Sequence, residues 1–103
     1  MTDTDILEEI WDVIDDRFTR PQAGSYVSRL VTDEKGIDRV LEKVGEETTE
    51  FIIAVKNGSR DRTIAEAADL LFHLMVALRA AEIDIDEVME ELASRRKQGQ
   101  VWK

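Results

Sequence analysis

Cysteine is absent from the 103 residues, proline occurs once, and the aromatics are two tryptophans, one tyrosine and three phenylalanines. The first absence excludes disulfide stapling and thiolate metal sites, and it fits a reducing compartment such as the cytoplasm. The second leaves long stretches that nothing interrupts as helix. The third makes the core mostly aliphatic. Positive charge is scarce too, with 14 basic residues against 23 acidic ones and a formal net charge of −9. Nucleic acid is therefore not expected as a partner, because binding its phosphates draws on a basic surface. No signal peptide is expected, nor any apolar run long enough to cross a bilayer. The longest such run, Leu70 to Leu78, is broken by His73.

What the chain does contain is helical spacing. Apolar residues make up 43%, enough for one domain with a modest core. A first helix is expected over Asp5–Arg17, with Ile6, Ile10, Val13 and Ile14 on one side and Leu7 and Trp11 beside them. Pro21 and Gly24 break it, and Ser25 can cap a short helix carrying Val27, Leu30 and Val31. A long helix follows from Gly36 or Ile37 to Asn57-Gly58, a usual C-terminal signal. The next runs from about Arg62 to Ala81 and is apolar nearly all round after Asp69. The last starts at Asp84 with Glu87 placed for a capping box, then dissolves into a loose tail from Ser94 onward. Nothing reads as a strand. The expected fold is an all-α bundle of four to five helices. One domain covers residues 1–98 and a tail covers 99–103. A helix apolar on most of its circumference calls for more cover than so short a chain supplies, so a homodimer is expected to complete the bundle.

The seam of the long helix is Ile37, Val40, Leu41, Val44, Phe51, Ile52 and Val55, yet Glu47 and Thr48 interrupt it where apolar residues belong. Glu46 and Glu50 flank that position, and Glu66 and Asp69 lie three apart on the following helix. Such spacings put side chains on one helix face. If the two helices pack antiparallel across the short connection after Lys56, then Glu47, Glu50, Glu66 and Asp69 can meet. Four carboxylates repel by roughly 4 kcal/mol per pair at about 4 Å and an effective dielectric of ~20. Either protons return or a cation neutralises them, and an all-oxygen site suits Mg²⁺ or Mn²⁺. Such an ion would also let an acidic protein hold a phosphorylated ligand. Plainer readings exist. Glu46 and Glu50 also fit solvated helix surface, with Lys43 pairing to Glu46 or Glu47. Thr63-Ile64-Ala65-Glu66 also fits a capping box with Glu66 at its third helical position. His73 fits a satisfied core histidine and is left out of the metal site.

The stretch "KVGEETTEFIIAVKNG" followed by "EAADLLFHLMVAL" resembles phosphoribosyl-ATP pyrophosphohydrolase. That family belongs to the all-α nucleotide pyrophosphohydrolases, whose shared signature is EExxE with ExxD downstream. Here these are Glu46-Glu47-x-x-Glu50 and Glu66-x-x-Asp69, within a resemblance covering about Ser25 to Arg96. Phe72 stands where the family often has tyrosine, and "TDEKGID" is slightly longer than the usual linker. The resemblance implies water attack at the α/β phosphate bond of phosphoribosyl-ATP, releasing phosphoribosyl-AMP and pyrophosphate, in histidine biosynthesis. It implies Glu47, Glu50, Glu66 and Asp69 as Mg²⁺ ligands, and Glu46 as a neighbouring, water-orienting carboxylate beside Glu47 and Glu50. Lys43, Lys56, Asn57 and Arg60 are candidates for phosphate contact, with ordinary surface pairing favoured for Arg60. Two alternatives stand beside this: a housekeeping nucleoside triphosphate pyrophosphohydrolase of the same superfamily, and a helical dimer module that catalyses nothing.

Overall fold

A computed structural model describes residues 5–97, and the tail expected over 99–103 lies outside them. The described residues form five helices and no strand: α1 (Asp5–Thr19), α2 (Tyr26–Val31), α3 (Ile37–Lys56), α4 (Arg60–Ala80) and α5 (Ile85–Lys97). Ser94–Lys97 therefore continues α5, where the sequence reading had a loose tail.

Local chemistry sets the helix ends. Ser25 caps α2 by accepting the Ser28 N–H at 3.2 Å. Ser59 caps α4 through the Arg62 N–H at 3.4 Å, and the Asp84 N–H donates to Glu87 Oε2 at 2.9 Å ahead of α5. The capping box that Thr63 to Glu66 also fits does not form. Thr63 lies inside α4, where its hydroxyl donates to the Ser59 carbonyl at 2.7 Å. Glu66 is thus freed from a capping role. Helices α3 and α4 end alike, each with a left-handed residue whose successor donates back into the last turn. In α3 that residue is Gly58 (φ 68°), with Ser59 N–H reaching the Ala54 carbonyl. In α4 it is Glu82 (φ 62°), with Ile83 N–H reaching the Leu78 carbonyl.

Helices α3 and α4 pack against each other as a hairpin, the main tertiary pairing of the fold. The core gathers at one end of it: Trp11 and Ile14 of α1, Val27 and Leu30 of α2, Val40 of α3, and Met75 and Val76 of α4. The buried face of α1 therefore centres on Trp11 and Ile14 rather than on Ile6 and Val13, which stay exposed. The other end of the hairpin is different. Ile52, Ile53 and Ile64 there are more than half exposed, at 54%, 53% and 57%. The acidic residues lie between the covered end and the bare one.

Candidate metal centre

Glu47 is buried, continuing the inward face that Val40 and Ala54 share on α3. Glu66 is buried on α4, and Asp69, one turn on, is exposed. Each of the three offers a carboxylate oxygen such that all lie within 4.8 Å of one another. Glu47 and Glu66 each have one oxygen tied to a cation one turn earlier on the same helix. Lys43 Nζ is 3.5 Å from Glu47 Oε1, and Arg62 donates to Glu66 Oε1 at 3.1 Å. Their Oε2 atoms are buried with no hydrogen-bond partner.

Burial pushes the Glu66 carboxyl above its usual range, and the nearby Glu50 carboxyl pushes it further. Glu50 itself is exposed and outside the close trio, so it borders the cluster from the Glu66 side. Glu46 is exposed and takes the Lys43 ammonium at 3.0 Å. That hydrogen bond holds Glu46 below the ordinary carboxylate range and raises Lys43 above the ordinary lysine value. The surface pairing read for Lys43 is present, to both glutamates at once. Lys56 and Asn57 end α3, exposed and roughly 14–15 Å along the helix axis from Glu47 at 1.5 Å per residue. Arg60 is exposed at the start of α4.

Two orphaned carboxylate oxygens beside a third acid are a donor set suited to a hard divalent cation. Unpaired buried acceptors cost about 1–3 kcal/mol each. Hard oxygen ligands match Mg²⁺ or Mn²⁺. The residues present fit such an ion. Sequence reasoning passed over Arg62, whose position four residues before Glu66 was a readable signal.

A family model described as phosphoribosyl-ATP pyrophosphohydrolase matches residues 7–96. The phosphoribosyl-ATP pyrophosphatase of Methanosphaerula palustris is 62% identical over 97 residues, covering 94% of this chain and 98% of the relative. That of Methanoculleus marisnigri is 60% identical, covering 94% and 100%. A more distant relative of the same name, from Haloarcula marismortui, is 46% identical and covers 89% and 94%. With nearly all of its helical body matched and its acids gathered on facing helices, the chain belongs to the phosphoribosyl-ATP pyrophosphohydrolase family.

Proposed function

We propose that the protein hydrolyses phosphoribosyl-ATP to phosphoribosyl-AMP and pyrophosphate, as a step of histidine biosynthesis in the cytoplasm. The substrate follows from the family membership, and the observation that carries the metal-assisted chemistry is the pair of buried, unpartnered Oε2 atoms of Glu47 and Glu66 beside Asp69. Glu47, Glu66 and Asp69 would hold Mg²⁺ or Mn²⁺, with Glu50 joining from the edge. When bound, the ion would neutralise charge developing on the phosphates and acidify the attacking water.

The chain's own residues supply the rest. Lys43, with its ammonium 3.5 Å from Glu47 Oε1, suits a phosphate oxygen. As it turns to the phosphate it gives up Glu46, whose basicity then rises toward an ordinary carboxylate's, so Glu46 can accept a proton from the attacking water. No covalent nucleophile is needed, since phosphoryl chemistry runs on positioning and charge stabilisation. Lys56 and Asn57, at the hairpin turn, are placed for the far end of an extended nucleotide. The working unit is a single domain through residue 98, doubled as a homodimer that covers Ile52, Ile53 and Ile64. Large apolar side chains left this bare at one end of a hairpin suit an interaction surface.

Pyrophosphate-release assays separate this reading from a housekeeping triphosphate pyrophosphohydrolase. Mg²⁺-dependent pyrophosphate release should be fast with phosphoribosyl-ATP and slow with dCTP and dUTP. Comparable turnover of all three would reassign the substrate.

A further inference from the structure

His73 is 5% exposed, and both of its ring nitrogens are engaged. Nδ1 lies 2.7 Å from the backbone carbonyl of Asp69, one turn back on α4. Nε2 lies 2.7 Å from the hydroxyl of Tyr26, the first residue of α2. A carbonyl only accepts, so Nδ1 carries the proton and donates it. In the neutral ring Nε2 is then the acceptor, and the Tyr26 O–H donates to it. The Tyr26 ring is held as well. It stacks on Phe72 with centroids 6.2 Å apart, and the Arg29 guanidinium lies 5.5 Å from its centre.

The carboxylate of Asp69, by contrast, has no hydrogen-bond or ion-pair partner among the described residues. Its aim toward Glu47 and Glu66 depends on the backbone beneath it, and the carbonyl of that backbone is what His73 grips. The Tyr26 hydroxyl is close enough to Lys43 and Glu47 to feel both charges; burial, the larger influence, raises its pKa. One hydrogen-bonded line therefore runs from α2 through His73 to Asp69, beside the turn of α3 that carries Glu47.

We propose that Tyr26 and His73 form a positioning pair for the carboxylate cluster, tying α2 to the turn of α4 that aims Asp69. The inference rests on the cluster being a cation site. Outer partners that orient metal ligands commonly change affinity by 10–100-fold. Removing the Tyr26 hydroxyl should therefore weaken the ion's grip while the helices persist.

The test is Mn²⁺ binding, followed by the paramagnetic signal of the free ion, together with ¹⁵N shifts of His73. For Tyr26→Phe the Mn²⁺ dissociation constant is expected to rise about tenfold with unchanged helical circular dichroism. His73→Asn keeps a donor near the Nδ1 position and should bind Mn²⁺ more tightly than His73→Leu. Wild-type His73 should show a protonated Nδ1 and a bare Nε2. With phosphoribosyl-ATP, Tyr26→Phe should lower kcat at saturating substrate, and raising Mg²⁺ should recover most of it. Wild-type Mn²⁺ affinity in Tyr26→Phe would overturn the proposal. So would equal affinity in the two His73 variants, or a protonated Nε2 in a neutral His73; these last two decide the matter even where Tyr26→Phe fails to fold. A wild-type protein that binds no Mn²⁺ would remove the cation site itself and the pair's role with it, whatever tautomer His73 shows.

Discussion

Two regions of this molecule are rich in carboxylates, and they behave oppositely. One is the cleft between α1 and the start of α5. It has a hollow of about 240 Å³ lined by Trp11, Asp15, Arg79, Glu82, Ile83, Asp84 and Glu87, next to another of about 290 Å³ that reaches Glu8, Asp12 and Asp86. Its acids are exposed, and several are already engaged. Asp15 accepts from Arg79 at 2.7 Å, Asp84 from the Asp86 N–H at 2.9 Å, and Glu87 from the Asp84 N–H at 2.9 Å. The other region is the α3–α4 cluster, with fewer acids, two of them buried and half satisfied. Acid density and an open hollow are thus poor guides to chemistry. A carboxylate stripped of water and given only one partner is a better one.

Substitution should separate the two regions most sharply. Glu47→Gln should lower kcat/KM for phosphoribosyl-ATP by about a thousandfold, or about 4 kcal/mol of transition-state stabilisation. Asp15→Asn and Glu87→Gln in the cleft should each change it by less than about twofold, as exposed pairs contribute little. Steady-state kinetics on the three variants would check this, and a large loss in a cleft variant would erase the distinction. Next in size is the bare end of the hairpin. Ile53→Asp or Ile64→Asp should shift sedimentation to the monomer and cost at least about tenfold in activity, the scale of a central interface residue.

Stability should move the other way. Without divalent metal, Glu47→Gln should be more stable than wild type by about 1–2 kcal/mol in urea titrations, because a buried acceptor without its partner is penalised. Adding Mg²⁺ should raise the melting temperature of wild type and leave that of Glu47→Gln unchanged. The smallest effect belongs to the cleft. Glu82 holds a left-handed φ that Gly58 holds at the equivalent end of α3. Glu82→Gly should therefore add about 1 kcal/mol by thermal melting, with activity intact. A loss of activity there would mean that the strain serves function.

Much of this was readable before the fold. The helix ends at Ser25, Asn57-Gly58 and Asp84 follow from capping chemistry that acts over a few residues, so local pattern sufficed. Glu47 was legible because it interrupts an apolar seam. Glu66 was ambiguous, since Thr63 to Glu66 has the spacing of a cap; only the competition from Ser59, three residues before Arg62, resolves it. The α1 face was misjudged toward Ile6 and Val13 because helical periodicity does not say which neighbours arrive, and α2 and α4 meet the Trp11 side. The link from Tyr26 to His73 spans 47 positions. Nothing local encodes a contact of that range.

The most direct measurement is an anomalous difference map from crystals grown with Mn²⁺. The account predicts one strong peak bounded by carboxylate oxygens of Glu47, Glu66 and Asp69. Density confined to the α1–α5 cleft, or none between α3 and α4 at millimolar Mn²⁺, would contradict it.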